Sequence, residues 1–160
     1  MFTRDGLLAL HKWTHERIDM LVDHAESKLS PSQFVTELPG FGFPSVRDQL
    51  VHLIGAEERW MLRLQDRPLP KRSAGEYPTV ESVRALKMPI KAATVAYIEG
   101  LPEAALNTEL AKTPQGWIGT LRSPAFIVHH VVTHAFHHKG QVVAMFRLLG
   151  HPAPDTDLQD

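Results

Sequence analysis

Apolar residues recur every three or four positions in four stretches of the chain, which is the spacing that places them on one face of a helix. Segments rich in proline and glycine separate these stretches, so the pattern predicts four helices joined by loops. The predicted helices run from about Thr3 to Leu29, from Val46 to about Gln65, from the cap residue Thr79 to about Gly100, and from the cap residue Ser123 to Leu149.

Residues that favour helix ends stand at several of these boundaries. Ser45 and Thr79 carry short hydroxyl side chains that can cap a first turn. Ser123 is followed by Pro124, and proline fits the first helical position because its missing N–H is not needed there. Proline inside a helix removes a backbone donor and crowds the preceding turn, so Pro89 predicts a kink or a break in the third helix.

Four such helices predict an all-α fold, a four-helix bundle with long connections between helices 1 and 2 and between helices 3 and 4. We expect a single domain over residues 1–152 and a C-terminal tail over residues 153–160, frayed from Asp155 onward. The second long connection, residues 101–122, is expected to hold a short extended segment.

The amino-acid composition argues against several classes of function. The 160 residues carry a formal net charge of −1, which gives no electrostatic reason to expect nucleic-acid binding. Cysteine is absent, so disulfides, thiolate zinc sites and cysteine nucleophiles are excluded. No apolar run approaches the roughly 20 residues of a membrane span, and the N-terminus lacks the apolar core of a secretory signal. We therefore expect no membrane partner and a cytoplasmic location.

Histidines are concentrated in the fourth predicted helix, where five of the ten lie between His129 and His138. His134 and His138 are four residues apart and share one apolar stripe, so they should face the bundle interior. Gln141 follows on the same stripe. Two buried imidazoles at this spacing can hold one metal ion, and neutral imidazole is the form that binds metals. The helix therefore predicts part of a metal site.

A stable site needs at least one more ligand. Candidates elsewhere in the chain are His52, Glu57, Glu58, His11, His15 and Asp19. His11 and His15 form a rival pair four residues apart, but no further ligand accompanies them in their stripe, and we expect them to be solvated or at the rim of the core. Glu57 is more central than His52 on the second predicted helix, and periodicity alone leaves the choice between them open.

Two segments of the chain resemble proteins of the DinB/YfiT-like family. They are His52-Leu53-Ile54-Gly55-Ala56-Glu57-Glu58-Arg59-Trp60 and His134-Ala135-Phe136-His137-His138-Lys139-Gly140-Gln141. The resemblance extends over essentially the whole chain and implies a bundle in which His52, His134 and His138 hold a divalent ion. Nickel and zinc are the first expectations, with iron and manganese as alternatives. The resemblance also implies a homodimer.

The family that the chain resembles includes enzymes that use low-molecular-weight thiols, such as bacillithiol and mycothiol S-transferases and a thiol-dependent maleylpyruvate isomerase. The leading expectation is therefore metal-dependent transfer of a small thiol to an electrophile. One alternative is metal-assisted hydrolysis of a small substrate, with Glu57 or Glu58 as the base. Another is a non-catalytic, stress-induced metal-binding protein.

Overall fold

A computed structural model describes residues 1–112 and 122–158. These ranges contain helices and no strand. The α-helices are α1 (Arg4–Lys28), α2 (Pro31–Phe34), α3 (Val46–Leu64), α4 (Val80–Gly100), α5 (Glu103–Leu106) and α6 (Pro124–Leu148), and a 3₁₀ turn covers Ala74–Glu76. The prediction of an all-α fold is confirmed.

Side-chain caps set the starts of the long helices. The hydroxyl oxygen of Ser45 accepts a hydrogen bond from the backbone N–H of Asp48 at 3.1 Å. Thr79 does the same for α4 and Ser123 for α6, each bonding the N–H three residues on. A cap satisfies backbone donors that have no partner inside the helix. The four long helices therefore begin and end within a residue of the bounds that the sequence predicts.

The four long helices pack in a cyclic order that decides which side chains can meet. α3 packs against α6 and α4, and α1 packs against the same two helices. α1 and α3 therefore lie across a diagonal of the bundle, as do α4 and α6. One side of α3 faces α6, the other faces α4, and the face between them looks across the bundle centre toward α1.

The bundle interior contains two apolar clusters with a polar layer between them. One cluster is centred on residues such as Leu50, Ile54 and Phe146, and the other on residues such as Ile98 and Ile127. Between them along the helices, fully or almost fully buried polar side chains replace the apolar ones: His11 and His15 on α1, Glu57 on α3 and Thr94 on α4. Buried polar groups are costly unless they are hydrogen-bonded. Nε2 of each histidine and the Thr94 hydroxyl bond the carboxylate of Glu57, whereas Nδ1 of His11 and Nδ1 of His15 are buried without a hydrogen-bond partner.

The structure adds to the predicted helix pattern at two places. The first long connection contains the short helix α2, which begins with a Ser30 cap and places Phe34 in the apolar core. Of the kink or break expected at Pro89, the break does not occur, because α4 continues through that residue. Leu86 and Ile90 are buried on either side of that proline, and their packing against the core holds the helix together despite the missing backbone donor.

The C-terminal tail is docked on the bundle over its described residues rather than frayed. The Lys139 ammonium donates to the backbone oxygen of Thr156 at 2.7 Å, and Thr156 is buried. The Arg17 side chain donates to the backbone oxygen of Asp157 at 2.9 Å. A short extended segment was expected in residues 101–122, of which residues 101–112 and 122 are described and contain α5 and no strand. Residues 113–121 lie outside the described part of the chain.

No helix among the described residues is both long enough and apolar enough to cross a membrane.

Candidate metal centre

His52 of α3 and the α6 pair His134 and His138 lie together. One ring nitrogen from each is within 4.8 Å of those of the other two. The ring centroid of His138 is 4.5 Å from that of His52 and 4.4 Å from that of His134. The structure thus brings together the three residues that the family resemblance implies as ligands.

The position of the cluster explains why His52 lies off the apolar stripe of its own helix. α3 packs against α6, so a residue at the edge of α3 that faces α6 meets the i, i+4 pair on that helix. His52 and His134 are partly exposed, whereas His138 is buried. The site is therefore at the seam between two helices, with one side covered by protein and the other accessible.

The three imidazoles are held in their neutral form. Burial, followed by the neighbouring His138 and His134, lowers the pKa of His52 from 6.5 to about 3. Burial and the neighbouring His138 lower the pKa of His134 to about 4, and burial also lowers the pKa of His138. Neutral imidazole has the free lone pair that a metal ion needs, so the residues present fit a divalent cation.

Gln49 orients the buried ligand candidate. The Nδ1–H of His138 donates to Oε1 of Gln49 at 2.7 Å, which leaves Nε2 of the ring with its lone pair. The amide nitrogen of Gln49 donates to the backbone oxygen of Phe43 at 3.0 Å and to Oε1 of Gln141 at 2.6 Å. Gln141 in turn bonds His137 at 2.9 Å. Sequence reasoning missed Gln49, although an amide among the apolar positions of α3 was the signal.

Phe43 covers His52. The two rings are stacked with their centroids 3.6 Å apart and an interplanar angle of 22°. Phe43 also meets the ring of His138 edge-on at 5.7 Å. It belongs to the proline- and glycine-rich segment before α3, so the loop that the sequence assigned only as a connection also forms one wall of the site.

The two glutamates proposed as bases are bonded to other groups. Both carboxylate oxygens of Glu58 accept hydrogen bonds from Arg72, at 2.6 and 2.7 Å. Glu57 turns toward the bundle centre, where it meets His11, His15 and Thr94. A catalytic role for either glutamate stays untested.

The expectation that His11 and His15 are solvated or at the core rim is wrong, because both rings are only 1% exposed. Each is satisfied through Nε2 by the carboxylate of Glu57, a residue from the diagonal helix that periodicity within α1 cannot reveal. Asp19, the remaining ligand candidate, pairs with the buried ammonium of Lys87 at 2.6 Å.

The sequence model of the DinB family matches residues 1–160, the entire chain. The chain belongs to the DinB family. None of the curated proteins compared with it matches. This DinB-family protein thus has a helical fold and contains buried or half-buried side-chain clusters of the kind that can hold a metal ion.

We expect Gln49→Leu to weaken divalent-metal binding at the three histidines of this DinB-family protein by about 10–100-fold, because His138 loses the acceptor that fixes its ring. Metal titration of the purified variant measures the effect. Gln65→Leu is the matched control, since the amide of Gln65 bonds the nearby backbone oxygen of Met61 and lies outside the three-histidine cluster. Equal affinities for both variants would contradict an orienting role for Gln49.

Stability of the metal-free DinB-family protein should fall as the pH is lowered from about 7 toward 4. The unfolded chain takes up protons at its histidines near pH 6.5, whereas folded His52 resists protonation down to about 3 and folded His134 to about 4. The unfolded state therefore binds more protons in this window, and the free energy of unfolding decreases. Urea unfolding at several pH values measures the slope. In a His52→Gln/His134→Gln variant, the free energy of unfolding should depend less steeply on pH. An unchanged slope would contradict the assignment of the pH dependence to these two histidines.

Proposed function

We propose that this DinB-family protein is a metal-dependent enzyme that transfers a small thiol to an electrophile, with His52, His134 and His138 as the ligands of a divalent ion. Nickel or zinc is the proposed metal, with iron or manganese as alternatives, because three imidazoles suit several first-row ions. The observation that carries the proposal is a partly exposed cluster of three imidazoles whose neighbouring charge is positive.

The charge around the cluster favours an anionic ligand. All three imidazoles are held neutral, and the guanidinium of Arg59 is near enough to help lower the pKa of both His52 and His134. Neutral ligands leave the charge of a divalent ion uncompensated, and Arg59 adds to it. A divalent ion bound there would lower the pKa of a thiol and hold the resulting thiolate.

The surrounding residues favour transfer over hydrolysis. Hydrolysis calls for a base near the reacting water, but Glu57 is bonded to His11, His15 and Thr94, and Glu58 to Arg72. Thiol transfer needs less help of this kind, because a thiol loses its proton far more readily than water does. The thiol proton passes to solvent, and the sulfur forms a bond to the electrophilic carbon as the bond from that carbon to its leaving group breaks. Phe43 and the buried side of the cluster limit access to one face.

The test is a steady-state screen of low-molecular-weight thiols against small electrophiles, with each candidate metal and with a chelator. We expect thiol consumption that depends on added metal, is lost in His134→Ala and is retained in His129→Ala, which removes a histidine of the same helix outside the cluster. Turnover without any thiol would favour the hydrolase alternative.

A spectroscopic test separates an open site from a closed, non-catalytic one. The visible spectrum of the cobalt-substituted protein should change when a thiol is added, because an exchangeable position accepts the thiolate. An unchanged spectrum together with no metal-dependent turnover across the thiol panel would overturn the proposal. We further propose a cytoplasmic homodimer, as the family resemblance implies, and sedimentation of the purified protein tests the dimer.

A further inference from the structure

A second group of metal-binding side-chain types lies in the bundle centre, inside the polar layer. Nε2 of His11 is 2.8 Å from one carboxylate oxygen of Glu57, and Nε2 of His15 is 2.9 Å from the other. The histidines come from successive turns of α1, and the glutamate comes from the diagonal helix α3. Both histidines are 1% exposed and Glu57 is 4% exposed.

We propose that His11, His15 and Glu57 form a second divalent-metal site, separate from the three-histidine cluster. Two imidazoles and one carboxylate make a ligand set used both by catalytic zinc centres and by non-haem iron centres. Ligands on facing helices that converge inside the core are also a recurrent way of building metal sites in helical bundles. The negative charge of the carboxylate favours binding of a divalent cation at this site. The three neutral imidazoles of the other cluster provide no such charge.

The side chains already converge, but they must move apart to admit an ion. Tetrahedral bonds of about 2.0–2.1 Å from nitrogen and oxygen to one ion keep ligand atoms about 3.3–3.4 Å apart. The separations of 2.8 and 2.9 Å, which are hydrogen-bond lengths, therefore have to widen by about 0.5 Å. Both rings approach Glu57 through Nε2, so an ion would take the place of the two Nε2 protons, and each ring would bind it as a neutral imidazole with its one proton on Nδ1.

The charges and hydrogen bonds nearby are compatible with a bound cation. Thr94 donates its hydroxyl to Glu57 at 2.6 Å, and ligating carboxylates are generally held by such an outer donor. The neighbouring buried ammonium of Lys87 is paired with Asp19 at 2.6 Å, which offsets part of the positive charge that Lys87 places near His15 and Glu57.

A cavity of about 570 Å³ lies between α3 and α4, on the opposite side of α3 from the helix that carries His134 and His138. Thr94 lines this cavity, and its hydroxyl contacts Glu57 directly. Because Thr94 is fully buried, an ion that enters from this side has to displace the Thr94 side chain to reach the carboxylate.

The hydrogen-bond partners of the ligand rings predict which of the two sites binds its metal ion more tightly. His138 has Gln49 at its Nδ1 atom, whereas the Nδ1 atoms of His11 and His15 are buried without a hydrogen-bond partner. Loss of an outer partner typically weakens metal affinity 10–100-fold. The site in the bundle centre should therefore bind its ion roughly 10–100-fold more weakly than the three-histidine cluster and fill second.

The experiment is a titration of the full-length, metal-free protein with Zn²⁺ and with Co²⁺, followed by calorimetry and visible absorption. The wild-type protein should bind two equivalents in sequence. His52→Ala should keep only the weaker equivalent, and Glu57→Gln should keep only the stronger one. Circular dichroism of each variant shows that its helices are intact before it is titrated.

Each outcome decides between the two sites. Binding of one equivalent that disappears in His52→Ala and persists in Glu57→Gln would overturn this proposal and leave a metal-free hydrogen-bonded cluster in the bundle centre. One equivalent that persists in His52→Ala and disappears in Glu57→Gln would support it and count against the three-histidine site. If Glu57→Gln does not fold, X-ray absorption of zinc-loaded His52→Ala decides: two imidazoles with a carboxylate oxygen support the proposal, and any other ligand set overturns it.

Discussion

His134→Ala should abolish divalent-metal binding at the three-histidine cluster and with it all metal-dependent turnover. The substitution removes one of the three ring nitrogens that form this cluster, so two ligands from different helices remain. We expect the affinity to fall by more than the roughly 10–100-fold that follows loss of an outer partner. Calorimetric titration and elemental analysis of the purified variant measure it.

His129→Ala provides the matched control for that experiment. His129 is on the same helix, but its ring contacts Phe2 and Phe126 rather than the cluster. Its removal should leave metal content and affinity unchanged. If both variants lose the metal equally, the loss reflects damage to α6, and the three-histidine assignment fails the test.

Glu57→Ala should reduce the free energy of unfolding of the metal-free protein by about 3 kcal/mol or more, because each of three buried donors left without its acceptor costs at least about 1 kcal/mol. Burial alone would raise the pKa of Glu57, but the hydrogen bonds from His11 and His15 outweigh it and hold this pKa below its ordinary range. Removing the carboxylate leaves both imidazoles and the Thr94 hydroxyl buried without their acceptor. Urea unfolding in the presence of a chelator measures the change.

Glu58→Ala is the matched control for burial. It removes the neighbouring carboxylate, which also bonds its partner directly but is partly exposed. The Glu58–Arg72 pair is partly exposed, with 18% and 30% of the two side chains accessible. Such pairs contribute no more than about 1 kcal/mol. A loss for Glu57→Ala no larger than that for Glu58→Ala would show that the buried layer contributes little to stability.

The long helices were predictable because their signals are local. Ser45, Thr79 and Ser123 each combine a capping hydroxyl with a following apolar stripe, and the structure uses all three as caps. The same logic was available at Ser30-Pro31, which starts α2, but the helix has only four residues and no periodicity could develop. At Pro89 the local signal allowed a kink or a break, and the break does not occur, since packing in the core outweighs the missing donor.

The sites depend on contacts between helices, and these are the part that the sequence could not supply. The spacing of His134 and His138 is visible within one helix, and the family resemblance adds His52. Glu57 is central on α3, as periodicity indicated, yet its partners come from the diagonal helix rather than from α6. Which central residue meets which histidine is decided by the order of helices around the bundle, and no spacing within α3 encodes that order.

The polar layer also determines how the helices are aligned along the bundle axis. Apolar side chains on neighbouring helices can exchange partners after a slide of one turn, about 5.4 Å, with much of their contact area restored. The bonds from His11, His15 and Thr94 to Glu57 cannot be restored in this way, because they converge on one carboxylate from α1 and α4. A slid arrangement would bury an unpaired charge in hydrocarbon. The layer thus selects one axial alignment of three helices from the several that their apolar faces would accept.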